Sequence, residues 1–458
     1  MVVNGRKHWI ALVAAVAALS RCSAWAAAEG TAGEAPSLPP IEAPPLPPGA
    51  ESPVPLGRPL TLAEAIEAAL RLQPQVMLAQ AQVMAARGAT VEAESGYVPS
   101  ITMSGGHTRS STAGVGAVGG VFTTGGYTAN VSGRQLLYDF GRTPAAVAQA
   151  RRQQDAAEYA LQQTRQTTIN QVKQAYYTLL QDQRLTEVQR QNVADQRAHL
   201  DLARAQFEAG VAPRADVVRG EAAVSSAIVS LVAAQSTEAV ARVNLNMAIG
   251  IDVRTPVRVE ETEEAPPLPP EADVVAEALR RRPEVRQLEA RVAAAEEALR
   301  VARANDRPAL YLVGNYGLRG TEFPPTDRGW SYGVSLSWSL FEMEQTRGLV
   351  AQAKGNLAAA QANLAAGRQE VASQVVQAYL NVQTAEAQVA ASAADVANAQ
   401  ENLRVATGRY AAGVGTYIDI MDAQTALVTA ETSQVNARYS LSMARAALAA
   451  AIGLVEPQ

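Results

Sequence analysis

The chain repeats itself once, and the second copy follows the first at a distance of 203 residues. Phe207-Glu208-Ala209-Gly210-Val211 returns as Tyr410-Ala411-Ala412-Gly413-Val414, and Ala248-Ile249-Gly250 returns as Ala451-Ile452-Gly453. Short solenoid repeats have periods of about 20 to 50 residues, so a unit of this length belongs to another class. The repeat predicts one architecture built from two tandem, pseudo-equivalent halves.

The first 59 residues have the composition of a targeting segment followed by a linker. Residues 1–26 are typical of a secretory signal peptide. Its marks are the charged Arg6 and Lys7, an apolar run from Ile10 to Leu19, and an Ala24-Trp25-Ala26 cleavage site. Residues 27–59 are rich in proline, which predicts an extended linker without a core of its own. We therefore expect an exported protein.

Cys22 is the only cysteine of the chain, and its fate depends on how the leader is processed. Cleavage after Ala26 removes it and leaves a mature protein without a disulfide. The alternative is a lipoprotein in which Cys22 becomes the acylated first residue, although Arg21 stands where a lipobox has a small residue. The sequence favours cleavage and keeps lipidation of Cys22 as the alternative.

The remaining residues divide into two long segments separated by a second proline-rich stretch. We place the first repeat at 60–252, an acidic and proline-rich linker at 253–271, and the second repeat at 272–458. Each repeat is predicted to contain a helix, two strands, a very long helix, a sharp break and a final helix. The net charge of −5 and the pI of about 5.5 give no reason to expect a nucleic-acid partner.

The longest helical pattern runs from about Gln345 to Arg409, which at 1.5 Å per residue is roughly 100 Å. Large residues recur along it every seven positions, and small residues follow most of them three positions later. The large ones are Val375, Val382, Val389, Val396, Leu403 and Tyr410, and the small ones are Ala378, Ala385, Ser392, Ala399 and Ala406. The first repeat keeps this register less strictly, because polar residues such as Asp182 and Gln196 interrupt it. Taken alone, these heptads predict a soluble coiled coil.

One strand pattern changes that prediction. The segment from Trp330 to Leu340 alternates without an error, with Trp, Tyr, Val and Leu on one face and only Ser and Gly on the other. In an outer-membrane barrel such a strand turns its large face to lipid and its small face to a wet lumen, and about 11 residues suffice to cross the bilayer at a tilt. Trp330, Tyr332 and Trp338 are then the membrane aromatic face. In a soluble sheet the same large face would be core.

Three further segments have strand patterns: Pro99 to His107, Tyr127 to Tyr138, and Ala309 to Leu318. The intervening Thr108–Gly126 and Arg319–Gly329 are predicted to be exposed loops. No segment after the leader has 18 consecutive apolar residues, so any membrane crossing is expected to be made of strands.

Four strands are too few to close a barrel with a usable lumen. An open sheet edge in hydrocarbon leaves backbone groups unpaired, and each such group costs several kcal/mol. If the strands cross a membrane, the chain must therefore assemble with other copies of itself.

These features together resemble the TolC-like outer membrane efflux protein family over nearly all of residues 60 to 455. The most specific marks are the two Gly-Val tips, the segment Tyr417-Ile418-Asp419-Ile420-Met421-Asp422-Ala423-Gln424, and the strand-to-helix turn from Leu137 to Arg142. The counterpart of that turn in the second repeat, Leu340-Phe341-Glu342-Met343-Glu344, lacks the glycine.

The resemblance implies a membrane protein dominated by α-helix, with a β-barrel part. Twelve strands of a homotrimer would form one barrel in outer membrane lipid, and the long coiled-coil helices would continue it as an α-barrel across the periplasm. The function it implies is a passive exit duct of a tripartite efflux or type I secretion system. The partners it implies are a periplasmic adaptor (membrane fusion protein) and an inner-membrane pump.

Asp419 and Asp422 are three residues apart and therefore project from one helix face. The resemblance places them at the periplasmic constriction, where rings of three carboxylates would repel one another and raise some of their pKa values. It gives Tyr410 a role in bracing the closed state, whereas the heptads make Tyr410 an ordinary seam residue, and both interpretations stay open. Thr416 and Asp419 have the spacing of a capping box, and we interpret Asp216 as a residue that stabilises a helix N-terminus.

The tips Gly210-Val211 and Gly413-Val414 are the candidate contacts with the adaptor. The three histidines are scattered, and residues 114–119 match a dinucleotide-binding pattern only inside a loop. We therefore expect no catalytic activity, no cofactor and no metal site. Two alternatives from other classes remain: a periplasmic coiled-coil adaptor or scaffold without a membrane crossing, and a binding protein whose strands form a small soluble sheet.

Overall fold

The computed structural model describes residues 58–113, 121–261, 271–339 and 343–454. The predicted signal peptide with Cys22, nearly all of the first linker, the glycine-rich 114–119 segment, residues 262–270 of the second linker, and Leu340-Phe341-Glu342 lie outside the described residues. The boundaries proposed for the two repeats and the linkers stay predictions.

Each repeat contributes four helices and two strands in the same order. The helices are α1 (Leu62–Leu72), α2 (Pro74–Glu94), α3 (Arg142–Glu208), α4 (Arg214–Ile249), α5 (Glu271–Arg281), α6 (Pro283–Arg303), α7 (Met343–Ala411) and α8 (Tyr417–Ile452). The strands are β1 (Ser100–Ala113), β2 (Val121–Tyr138), β3 (Ala309–Gly320) and β4 (Asp327–Ser337).

Each repeat opens on two helices, where the sequence predicted one. Pro74 and Pro283 occupy the first turn of α2 and α6, a position that tolerates the missing N–H. The residue before each proline is extended, as the proline ring requires. The helical periodicity continues across each of these prolines, so only the proline marks the break between the two helices.

The repeat is confirmed by the way equivalent residues fill equivalent cores. In the first half α1 packs against α3 and α4, and in the second half α5 packs against α7 and α8. Fully or nearly fully buried pairs related by 203 positions are Val172 and Val375, Leu179 and Val382, Leu245 and Leu448, and Ile249 and Ile452. Two copies of one unit therefore bury the same face of their helices.

The four strands form one antiparallel sheet in the order β1-β2-β3-β4, so the β2–β3 pairing joins the two halves. The strand count is confirmed, but the predicted loops Thr108–Gly126 and Arg319–Gly329 are wrong over much of their length. Strand pairing continues to Ala113 and from Val121 in the first hairpin, and to Gly320 and from Asp327 in the second. The reason is that ladder hydrogen bonds join backbones, so segments rich in Ser, Thr and Gly remain paired.

The long helices are longer than ordinary globular helices by a wide margin. α3 has 67 residues and α7 has 69, which at 1.5 Å per residue makes each roughly 100 Å long. Each pairs with the helix that follows it, α3 with α4 and α7 with α8, to form two helical hairpins. The predicted seam of α7 is buried at Val375, Val382, Val396 and Tyr410.

Candidate functional site: the helical tip and the sheet

The two hairpin tips are built on the same turn. Gly210 has a φ of 74° and Gly413 a φ of 72°, a left-handed conformation that residues with a side chain rarely adopt. In each tip the N–H of the following valine donates to the carbonyl five residues earlier. Val211 and Val414 are 64% and 68% exposed, so each tip presents a valine to solvent at the place proposed for adaptor contact.

Gly415 has a different role from Gly413. A Cβ at this position would lie 3.0 Å from the Cβ of Arg409 and 3.0 Å from the backbone nitrogen of Tyr410. The backbone at Gly415 therefore passes so close to the last turn of α7 that no side chain fits there. This close approach brings Thr416 to the start of α8.

The capping box at the start of α8 is confirmed. The Thr416 hydroxyl accepts from the Asp419 N–H at 3.3 Å, and the Asp419 carboxylate accepts from the Thr416 N–H at 3.0 Å. The backbone hydrogen bond from Thr416 lowers the pKa of Asp419. The rise expected for a ring of carboxylates would therefore have to come from neighbouring copies. Asp422, one turn further along α8, is exposed and has no ion pair within the described part of the chain.

Tyr410 bridges the two hairpins. Its side chain is buried, and its hydroxyl donates to one carboxylate oxygen of Asp216 at 3.3 Å. Arg219 donates to the other oxygen at 3.2 Å. Burial, followed by the charge of Asp216, raises the pKa of Tyr410 to about 12. Tyr410 is therefore both a seam residue of α7 and a hydrogen-bond donor to α4.

The interpretation of Asp216 as a helix-stabilising residue was too narrow. Asp216 lies in the first turn of α4, but it is buried and its carboxylate accepts from two side chains. Its counterpart Asp419 is exposed and serves as a cap, so the two aspartates have diverged. The pseudo-equivalent residues Phe207 and Tyr410 have diverged in the same way, since Phe207 is exposed and Tyr410 is buried. The sequence signal that could have indicated this contact is the difference between Phe207 in the first repeat and Tyr410 in the second.

A second aromatic residue completes the tip. The sequence marked the segment that it begins but gave this residue no role of its own. Tyr417, the first residue of α8, lies with its ring centre 5.6 Å from that of Tyr410 in an edge-on contact. A Cβ at Gly220 on α4 would come within 2.8 Å of the Tyr417 hydroxyl. The absence of a side chain at Gly220 therefore lets α8 pack close to α4. Burial and Asp216 both raise the pKa of Tyr417.

Above the tip, a polar contact joins α8 to α3. Gln424 is fully buried and donates to Asp195 at 3.3 Å and to Asn192 at 3.4 Å. Its carbonyl oxygen lies 3.3 Å from Nε2 of His199. Gln424 therefore faces the first hairpin, while Asp419 and Asp422 remain on exposed positions of the same helix.

One face of the sheet carries mainly large apolar side chains, and the other carries mainly small polar ones. Tyr316 lies opposite Trp330, Leu312 opposite Val334 and Leu310 opposite Leu336. Cross-strand partners share a face, so this face is apolar along most of both strands, with Arg328 opposite Leu318 at one end. Trp330 and Tyr332 are 72% and 78% exposed and stack on each other at 5.8 Å. Trp338 follows the end of β4 and is also exposed.

The opposite face carries mostly Ser, Thr, Asn and Gly. Ser104 lies opposite Asn130, and Asn315 opposite Ser331. Arg134 also lies on this face, with its guanidinium 3.6 Å from the ring centre of Tyr311. A face of this composition suits water, and the apolar face suits lipid.

One helix among the described residues is long and apolar enough to span a bilayer by those two criteria. This helix is α4. An 18-residue window of α4 has a mean hydropathy of 1.5, and 11% of that window is buried within the chain. In this fold α4 is the second arm of a hairpin and packs along α3.

Comparison with known proteins agrees with this fold. The model of the outer membrane efflux protein family matches residues 65–251 and 274–454, which is more than half of the chain and one segment in each repeat. Protein CyaE of Bordetella pertussis is 28% identical over 61% of this chain. That match spans 59% of the length of CyaE, so the chain aligns with less than two thirds of this relative.

Two solved structures share the fold at low sequence identity. The outer-membrane channel OprN has a TM-score of 0.76 and 22% identity, covering 88% of this chain and 94% of its own. The outer membrane protein VceC from Vibrio cholerae has a TM-score of 0.76 and 20% identity, covering 86% and 96%. By the family match and by this architecture of sheet and long hairpins, the chain belongs to the outer membrane efflux protein family, located in the outer membrane and extending into the periplasm.

Proposed function

We propose that the protein is the passive exit duct of a tripartite efflux or type I secretion system. The observation that carries the proposal is the sheet with one apolar aromatic face and one small polar face, attached directly to helices roughly 100 Å long. A lipid-facing barrel continued by a tunnel of helices would lead a solute past both the periplasm and the outer membrane. A coiled-coil scaffold without a membrane crossing has no use for the apolar face.

The duct requires more than one chain. β1 and β4 are the edges of the described sheet, and each edge must pair because hydrocarbon offers no hydrogen-bonding partner. Three copies pair β1 of one chain with β4 of the next and give twelve strands. We therefore propose a homotrimer, the assembly that the family resemblance implies.

The periplasmic end is the proposed gate. In a trimer Asp419 and Asp422 would form two rings of three carboxylates on the first turns of α8. Such rings repel one another and bind multivalent cations. The Tyr410–Asp216 contact would hold the second hairpin against the first and keep the rings close. Opening would require this contact to break.

Conductance in planar bilayers tests the gate. The double variant Asp419→Ala and Asp422→Ala should raise single-channel conductance and abolish block by trivalent cations added on the periplasmic side. Asp395→Ala is the matched control, since Asp395 is an exposed aspartate on α7 that lies 15 residues before Tyr410. Cation block that persists in the double variant would refute the gate assignment.

The tips are the proposed contact with a periplasmic adaptor, through the exposed Val211 and Val414. Val211→Asp and Val414→Asp should each reduce retention of the channel on an immobilised adaptor, because a charge in an apolar contact is costly. Val253→Asp is the control, an exposed valine beyond the far end of α4. Equal retention of all three variants would rule the tips out.

A further inference from the structure

A basic cleft lies where the sheet joins the helices. It has a volume of about 450 Å³ and is bounded by the first turns of α3 and the last turns of α6. Its lining includes Phe140 from the turn after β2, and Arg300, Arg303 and Arg307 from the end of α6 and the residues that follow. The site is outside the helical tip and has no part in the proposed gate.

The charges in this cleft are not balanced. Glu297 is the carboxylate of the lining, and Arg300 donates to it at 2.9 Å. Arg307 donates to the backbone carbonyl of Phe140 at 3.2 Å. Arg303 is exposed and has no hydrogen bond or ion pair within the residues that the structure describes. Asp306 is nearby in sequence but is not part of the lining. Three guanidinium groups therefore face one carboxylate.

The cleft lies at the end of the apolar face of the sheet. A register shift after Leu136 sets Tyr138 opposite Leu310, and Leu310 pairs with Leu336 on the apolar face. The ring of Phe140 lies 4.7 Å from that of Tyr138. The cleft is thereby continuous with exposed aromatic side chains.

Trp338 indicates the depth of the cleft in the bilayer. Its indole N–H donates to the carbonyl of Asp306 at 3.0 Å, immediately before Arg307. Exposed Tyr and Trp rings at the end of an apolar face mark the depth of the lipid headgroups. The helices continue from here into the periplasm, so the headgroups at this depth belong to the periplasm-facing leaflet.

We propose that this cleft binds the phosphate headgroup of a phospholipid in the periplasm-facing leaflet of the outer membrane. The guanidinium of Arg303 would donate to the phosphate oxygens, with Arg307 adding a second positive charge. Arginine suits this task because its planar fork matches phosphate geometry. The acyl chains would lie along Phe140 and Tyr138. The proposal rests on the outer-membrane location of the sheet, and it does not depend on transport.

The test uses the full-length channel purified in a non-ionic detergent and stripped of lipid. Phosphatidylglycerol is titrated in, and native mass spectrometry counts the lipids retained per protomer. The wild type should retain one phosphatidylglycerol per protomer. Arg303→Gln should bind it roughly tenfold more weakly, and Arg303→Glu more weakly still. Arg303 contacts no described residue through a polar bond, so these variants should fold as the wild type does.

Arg291→Gln is the matched control. Arg291 is exposed on the same helix and lies 12 residues earlier, about 18 Å further from the membrane. It should bind lipid as the wild type does. Equal retention by the wild type and both Arg303 variants would overturn the proposal, and so would an equal loss in Arg291→Gln.

Two further arms separate the possible causes of failure. In the first arm, glycerol phosphate replaces the lipid and tests whether the cleft is a site for free phosphate compounds. If glycerol phosphate binds as tightly as phosphatidylglycerol, the cleft is not a phospholipid site. Quenching of tryptophan fluorescence by brominated phospholipid reports whether Trp330 and Trp338 face lipid. Quenching without specific retention refutes the cleft alone, whereas a lack of quenching refutes the membrane location on which the proposal rests.

Discussion

At the scale of single residues, the contact between Tyr410 and Asp216 connects the two hairpins through side chains of opposite repeats. A hydrogen bond to a charged group contributes roughly 1.5 to 3 kcal/mol. The bond is buried, so water does not readily replace it. The two residues stand at positions whose pseudo-equivalents, Phe207 and Asp419, are exposed. The duplicated unit has thus become asymmetric where a closed state would have to be held.

Tyr410→Phe should weaken the closed state without disturbing the seam, because the ring remains and only the hydroxyl is lost. We expect a single-channel conductance several times that of the wild type, with a melting temperature lowered by only a few degrees because one buried hydrogen bond is lost. Tyr379→Phe is the control, since Tyr379 is a half-buried tyrosine of the same helix with no hydrogen bond among the described residues. If both variants conduct like the wild type, the contact does not hold the gate.

Asp182 predicts a dependence of stability on pH. It is buried in the α3 seam, and burial followed by the charge of Glu238 raises its pKa above the ordinary 3.8. Glu238 is itself paired with Arg242 at 2.9 Å. A raised carboxyl pKa gives stability that is fully present below the ordinary value and is lost as the pH rises through the raised value.

Asp182→Asn should therefore melt a few degrees higher than the wild type at neutral pH, and the difference should vanish below pH 3.8. Thermal melts followed by circular dichroism across that range measure it. Asp201→Asn, which changes an exposed aspartate of α3, should show no such trend. A variant that is less stable than the wild type at neutral pH would show that the carboxylate is stabilising.

At the scale of elements, the sequence predicted the long helices and the strand count well because their patterns are periodic over many residues. The seam of α7 and the error-free alternation of β4 each repeat one rule several times. The strand ends and the second opening helix were missed because they depend on backbone pairing and on one proline. The Tyr410–Asp216 contact was missed because the residues are 194 positions apart and only folding brings them together.

The tip turn predicts different outcomes for two glycines of the same repeat. Gly413→Ala should lower stability by roughly 1 kcal/mol, since alanine is strained at positive φ even where space is free. Gly408→Ala should raise stability by roughly 0.5 to 1 kcal/mol, since Gly408 lies within α7 and a Cβ there meets nothing within 4 Å. Thermal unfolding of the two variants side by side tests this. Equal effects would mean that the turn does not need the left-handed conformation.

At the scale of the whole molecule, α4 leaves much of its apolar surface uncovered in a single chain. Val229, Val232 and Val240 are each more than half exposed, as is Met247. Contiguous apolar surface of this kind marks an interaction site. A neighbouring copy that completes the ring of helices would cover it, just as the proposed pairing of β1 with β4 would complete the ring of strands.

Val229→Glu should therefore shift the purified channel from trimer toward monomer, because it places a charge on that surface. Gln235→Glu introduces the same charge at an exposed polar position of α4 and should leave the assembly intact. Size-exclusion chromatography in detergent separates the species. Dissociation of both variants, or of neither, would place the contact between copies elsewhere.

We propose that the four strands of each chain close one membrane barrel when three chains assemble. The mass of the purified particle in detergent, obtained by light scattering with the bound detergent subtracted, tests it most directly. We expect three copies of the mature chain in a particle that requires detergent. A monomer that stays in solution without detergent would contradict it, because the aromatic face of the sheet would then need no lipid.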